Sequence, residues 1–278
     1  MVCLNDQATI RRSLQSLIAN DVGQIVVVDG GSTDNTINEI SDLPVTILRS
    51  QAGLRRQTLM ANAAMKLPFC FVGEADQLFE SDFVGLLLEE LLNSEYRGIQ
   101  AVKTYSSPRT FLERGHSLFL EIHQGTPGER DFISGPQIWR TSDYAKLIAL
   151  TGDNQGYSFD TEIAETISRL GFSVGMGRTP TEEIATVNFA TFKQRMRNYG
   201  SGDFNFYQSK KIEWSRVRKI QSLTHILRRY AFSYPWKALK SGRGVLGFTY
   251  FWTVCVSRYF FWVQTDVTSR TKPRLEAT

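Results

Sequence analysis

Ile25-Val26-Val27-Val28-Asp29-Gly30-Gly31-Ser32-Thr33-Asp34-Asn35-Thr36 joins an unbroken apolar run to an acidic residue, two glycines and a series of hydroxyl, carboxylate and carboxamide side chains. A strand without polar alternation is apolar on both faces, the pattern of an interior strand of a parallel sheet. Ligands of such sheets lie beyond the carboxyl ends of the strands. Asp29 stands at that end, where a carboxylate can accept hydrogen bonds from a nucleoside base or ribose, and Gly30 and Gly31 permit positive φ and close backbone approach. Ser32 or Thr33 is expected to cap a helix over residues 35–40. Taken alone, the stretch reads equally well as an ordinary strand-turn-helix junction whose polar residues only cap.

Outward from this stretch, strand-like runs at 24–28, 45–48, 69–73, 99–102 and 132–139 alternate with helical patterns at 9–19, 35–40, 54–66, 82–92, 110–123, 142–150 and 161–170. Alternation of this kind predicts an α/β fold. Past the second of the fully apolar strands the chain reads Glu74-Ala75-Asp76-Gln77. Carboxylates at i and i+2 on an extended segment share one side. They are either surface charges or ligands for a hard cation. Arg55 and Arg56 fall on the first turn of the 54–66 helix, either solvated or within reach of a diphosphate. The segment Gly125-Thr126-Pro127-Gly128-Glu129-Arg130 reads as a loop.

A net charge of +4 conceals an asymmetry: residues 1–190 hold 15 Lys/Arg against 24 Asp/Glu, whereas residues 191–243 hold 13 against 2. The chain is therefore read as two parts, 1–190 acidic and 191–278 basic and aromatic. The second part is expected to meet a membrane surface, since no nucleic-acid module frames its charges. Residues 245–263 are apolar and aromatic but interrupted by Arg258, which predicts an interfacial or re-entrant helix, or an aromatic helix packed on the catalytic part, rather than a spanning one. Cys3, Cys70 and Cys255 are isolated in apolar surroundings, giving neither a disulfide framework nor a zinc site, and imply a reducing compartment. No leader is read at the start, where Asn5, Asp6, Arg11 and Arg12 break any apolar run. His116, His123 and His225 belong to no acid–nucleophile arrangement.

The IVVVD-GGSTDNT string closely resembles the nucleotide-sugar signature of family-2 glycosyltransferases, and Val2-Cys3-Leu4-Asn5-Asp6 followed by Ile10–Leu17 is similar to that family's first strand and helix. Only Met1 to Leu4 precede Asn5, so the first strand is short or trimmed. The resemblance implies a GT-A-type, Rossmann-like nucleotide-sugar domain followed by a basic, aromatic helical region. It also implies a donor site of Asp29, Gly30, Gly31, Ser32, Asp34, Arg55, Arg56, Gln57, Glu74 and Ala75. Glu74 and Asp76 occupy the family's DxD slot, with Glu in place of the first Asp, and so would hold Mg²⁺ or Mn²⁺ on the donor diphosphate. Phe159-Asp160-Thr161-Glu162 resembles the acceptor-side motif with Phe in place of its first acid. Asp160, or its rival Glu162, would serve as the base of an inverting transfer. Asp131–Arg140 and the Tyr199-Gly200-Ser201-Gly202 turn resemble segments of polyprenyl-phosphate and membrane-associated relatives. The expected enzyme moves sugar from an NDP-sugar to a lipid-linked or polysaccharide acceptor at the cytoplasmic membrane face. A non-catalytic membrane-bound relative and a nucleotide-sugar nucleotidyltransferase are the alternatives, the latter disfavoured because Asn5-Asp6-Gln7-Ala8 is no Gly-rich phosphate loop.

Overall fold

β2 (Val26–Asp29) is buried at every residue and pairs in parallel with β1 (Val2–Cys3) on one side and β3 (Thr46–Arg49) on the other. This is the interior strand that its unbroken apolar run demands. The computed structural model describes residues 1–152 and 156–271. Its remaining elements begin with α1 (Ile10–Ile18), α2 (Leu54–Ala64), β4 (Phe69–Val72), β5 (Gln77–Leu78), α3 (Phe83–Leu92), β6 (Gly98–Thr104) and α4 (Phe111–Gln124). They continue with β7 (Gly128–Arg130), β8 (Gln137–Arg140), α5 (Thr141–Leu150), α6 (Phe159–Leu170), β9 (Val174–Glu183), α7 (Phe189–Lys210), α8 (Arg216–Ile226), a π-helical segment (Leu227–Ser233), α9 (Tyr234–Lys240) and α10 (Gly244–Thr271). A second, mixed sheet runs β4-β8-β6-β9-β5, with β7 added to β9.

Two units result: Met1–Ser106 with Gln124–Ala185, and Ser107–His123 with Thr186–Thr278. The second unit thus begins five residues before the boundary expected at 190 and also takes in most of α4. In the first unit α1 does two jobs with two faces. Ile10, Leu14 and Leu17 are buried among apolar side chains. Ser13 and Ser16, three residues apart and so on one face, together with Asn20 just past the end of α1, bond the chain after β4. Ser13 Oγ donates to Glu74 O (3.1 Å), Ser16 Oγ accepts from Phe79 N (3.1 Å), and the Asn20 amide pairs with Glu80 O and Val84 N (2.8 Å each).

The helix expected over 35–40 is a single 3₁₀ turn, Asn38–Ile40. Asp34 Oδ1 accepts the Thr36 amide (3.0 Å) and the Thr36 hydroxyl, a local turn that competes with helix initiation. Ser32 and Thr33 accordingly cap no helix. The expected strand at 132–139 starts only at Gln137, after Gly135 at φ +80° and Pro136. Part of the supposed 125–130 loop is β7, paired antiparallel with β9.

In the second unit, Tyr250, Phe251, Val254, Cys255 and Phe261 of α10 are buried in a core with Phe192, Met196, Tyr230, Tyr234 and Ala238. A Cβ on Gly200 of α7 would stand 2.5 Å from Arg258 O, so this glycine sets how closely α7 and α10 approach. Arg258 does not interrupt an apolar face: it is buried, its guanidinium on Asp203 Oδ2 (2.6 Å) and the Tyr230 hydroxyl (3.0 Å). Among the described residues no helix is long and apolar enough to cross a membrane.

Candidate active site

Asp29 ends β2 and is only 3% exposed as a residue. Its Oδ1 accepts Ser32 N (3.0 Å) and Ser32 Oγ (2.6 Å), closing the turn that Gly31 makes at φ +89°. The loop after β1 is laced to this turn. Asn5 N donates to Ser32 Oγ (2.9 Å), Asn5 Oδ1 accepts Thr33 N (2.8 Å), and Gln7 N donates to Asp34 Oδ2 (3.3 Å). Asp34 therefore serves the turn as a tie between the two loops. Gln57 lies beneath: its Nε2 donates to Cys3 O and Val28 O (3.0 Å each) and its Oε1 accepts Gly53 N (3.3 Å). A Cβ on residue 30 would stand 2.9 Å from that Oε1, which is why Gly30 is a glycine. Gln57 is thus a buried strut of the turn, with its amide spent on backbone.

Beyond β4, Ala75 is buried against Cys3, Ile10 and Val27, so only its backbone is open to a ligand. Gln77 Nε2 lies 3.4 Å from both Glu74 Oε2 and Asp76 Oδ1. Gln77 itself is fully buried, and its Oε1 has no hydrogen-bond partner. A half-turn of this amide exchanges its nitrogen and oxygen, a choice set by the surrounding network, and would turn an oxygen toward a cation between the carboxylates. Among the described residues no three His, Cys, Asp or Glu side chains gather as a metal cage. Two carboxylates still fit Mg²⁺ or Mn²⁺, whose shell is completed by phosphate oxygens and water.

Residues distant in sequence converge here. Lys103, from β6, places Nζ 3.2 Å from Glu74 Oε2, and Gln124 clamps its backbone, accepting Lys103 N (2.6 Å) and donating to Lys103 O (2.7 Å). A Cβ on Gly135 would come within 3.1 Å of Lys103 Nζ and 3.5 Å of Glu74 Oε2. Asp160 joins the same cluster. The residue as a whole is exposed, yet protein atoms around its carboxyl push the pKa up to about 6, with the Glu74 charge raising it further and Lys103 drawing it down. Helix α6 begins at Phe159, with Ser158 in the cap position, so Asp160 is not a helix cap. Phe159 is buried with Trp139, Tyr144 and Leu147, anchoring the helix where the family's motif has an acid.

Glu162 points elsewhere. A Cβ on Gly152 would fall on Glu162 Oε2, so this carboxylate lies against the α5–α6 connection. Two residues apart on a helix face different ways. Arg55 Nε donates to Thr151 O (3.2 Å) at the end of α5, and exposed Arg56 donates to Gln51 Oε1 (2.8 Å). The sequence alone assigns no role to Lys103, to Gln77 or to Gly135. Only the Gly135-Pro136 pair, a break within an apolar run, was a signal.

The sequence pattern of Glycosyl transferase family 2 matches residues 1–159. The chain belongs to glycosyl transferase family 2. Asp29, the Ser32 turn, Glu74, Asp76 and Lys103 all lie within the matched residues. Solved structures agree on the fold. Glucosyl-3-phosphoglycerate synthase from Mycobacterium tuberculosis, in complex with Mn²⁺, UDP and glucosyl-3-phosphoglycerate, superposes with a TM-score of 0.51 at 17% identity, covering 72% of this chain and 75% of that one. The same enzyme with Mn²⁺, UDP-glucose and phosphoglyceric acid gives 0.51 at 17% identity over the same shares. With Mg²⁺ and UDP it gives 0.50, again at 17% identity and the same coverage. This identity makes the likeness one of fold, the expected GT-A type. No curated protein matched the sequence.

Proposed function

We propose that this glycosyltransferase performs a metal-dependent, inverting transfer of a sugar from an NDP-sugar to a lipid-linked or polysaccharide acceptor. The observation that carries the reading is the pairing of Glu74 and Asp76 across Gln77 Nε2, with Lys103 on Glu74 and Asp160 within the field of both. Asp29 and the Ser32 turn receive the nucleoside, and the Gly30-Gly31 backbone admits it closely. Glu74 and Asp76 hold Mg²⁺ or Mn²⁺, which when bound neutralises charge developing on the diphosphate leaving group. The metal assignment draws support from the glucosyl-3-phosphoglycerate synthase structures, which contain Mn²⁺ or Mg²⁺ with UDP.

Asp160 takes the acceptor hydroxyl's proton. A carboxyl with a pKa of about 6 is ionised at neutral pH and remains basic enough to accept it. Lys103 keeps Glu74 paired until a ligand competes for it. A phosphate acceptor is already ionised and would bypass the base. Arg55 and Arg56 flank the diphosphate side from α2, and the basic second unit holds the enzyme against the membrane that carries a lipid-linked acceptor. Incubation with UDP-, GDP- and dTDP-sugars, with and without Mn²⁺, tests the reading. Metal-stimulated release of nucleoside diphosphate from one donor supports it. Silence across donors with unchanged nucleotide binding would instead make the protein a non-catalytic member.

A further inference from the structure

Over residues 245–263 helix α10 is largely apolar, and one apolar side of it is left uncovered beside exposed Thr249 and Thr253. Val245, Phe248, Trp252, Val256, Phe260 and Val263 recur at intervals of three and four, and all are exposed, from 36% for Trp252 to 84% for Val245. At 1.5 Å per residue the stripe is about 27 Å long. Phe232, Trp236 and Leu239, exposed by 58–62%, continue the apolar surface. They meet Phe248 in a groove of ≈ 680 Å³ to which Arg228 and Ser233 contribute the polar atoms. Exposed apolar surface of this extent marks an interaction site.

Charge selects the occupant. Residues 191–243 hold 13 basic side chains against 2 acidic ones, and Lys240 Nζ stands 5.4 Å from the centroid of the Trp236 ring at the groove. A second copy would lay this cationic segment against itself. An anionic bilayer satisfies both features at once, the cations at the headgroups and the apolar stripe below them. We infer that this face docks on an anionic bilayer and that the groove between α9 and the start of α10 seats a lipid acyl chain beneath a headgroup phosphate held by Arg228 and Lys240. The inference rests on the membrane reading of the preceding section and adds the face, the groove and the lipid charge.

The test uses the full chain with vesicles of phosphatidylcholine alone or mixed with phosphatidylglycerol brominated along its acyl chains. Binding should require the anionic lipid, weaken partly with salt, and quench tryptophan fluorescence. Trp236→Phe should still bind while losing part of the quenching. Phe248→Asp, at an exposed position and so expected to leave the circular dichroism melt unchanged, should bind at least about tenfold more weakly through lost apolar transfer. Wild-type binding by Phe248→Asp together with undiminished quenching of Trp236→Phe would overturn the groove while leaving the membrane reading standing. Binding to neither vesicle would remove both. A lipid-free dimer in light scattering that Phe248→Asp dissolves would give the face to a second copy and overturn the inference.

Discussion

Two clusters of charge, one in each unit, are made of the same kinds of side chain and behave in opposite ways. In the second unit Asp203 faces Arg258 at 2.6 Å and His225 at 3.6 Å, and Arg258 also lies over the rings of Tyr199 and Tyr230. Burial works against the Asp203 charge, but Arg258 and His225 outweigh it and hold the carboxyl below its ordinary value. In the first unit Lys103 meets Glu74 at 3.2 Å, and Asp160, raised by burial and by the Glu74 charge, is pushed up to about 6. A cluster in which each charge meets its opposite is a strut. A cluster with surplus carboxylate keeps a group poised to take up a proton or a cation.

The contrast breaks first, and by most, at Asp203. Asp203→Ala leaves Arg258 buried without its carboxylate and should cost about 3–5 kcal/mol in denaturant unfolding, with nucleotide binding unchanged. An unfolding midpoint equal to wild type would mean that the pair is no strut. Next comes Asp160→Asn, which should lower kcat by about 10²-fold or more with donor KM nearly constant. Glu162→Gln should do far less, because its carboxylate faces the α5–α6 connection, and the reverse ranking would move the base there. Asp76→Asn should remove the Mn²⁺-dependent part of nucleoside diphosphate binding in calorimetry and leave the melting curve alone. Persistence of wild-type metal dependence would take Asp76 out of the metal site.

Proton linkage sharpens the comparison. Asp160 binds its proton more tightly folded than unfolded, so its contribution to stability is full at low pH and is lost as pH rises from 3.8 to about 6. Asp203, with its pKa lowered, contributes above its unfolded value and loses that contribution as pH falls. Activity should rise with pH through about 6 as Asp160 ionises. The smallest effect is expected of Lys103→Met. Because Lys103 draws the Asp160 pKa down, its loss should move the rising limb of the pH–kcat profile to higher pH. A shift to lower pH would show that the lysine does not act on Asp160.

What could be read from sequence was local. The β2 run, its turn and the helix bearing Asp160 each declare themselves within a dozen residues, through apolar continuity, paired glycines and an amphipathic pattern ended by Gly171. Lys103 lies 29 residues from Glu74 on another strand, and nothing in its neighbourhood distinguishes it from a solvated lysine. The helix expected at 35–40 failed because Asp34 offers Thr36 two hydrogen bonds, a side-chain effect outside any apolar period. Arg258 misled for the opposite reason: its partner Asp203 is 55 residues away, so the sequence displays the charge without its complement.

Gln57 and Arg55 belong to the same turn of α2. One is wedged under the Gly31-Ser32 turn by bonds to Cys3 O and Val28 O, and the other grips Thr151 O at the end of α5. Placement errors in a catalytic site ordinarily accumulate through each loop that separates donor from acceptor. Here both are gauged from one rigid reference, so the play between them is that of a single helical turn. Group transfer is sensitive to misalignment on the order of 1 Å, and α2 supplies that tolerance from below, Gln57 by its bonds to backbone and Arg55 by its hold on Thr151 O.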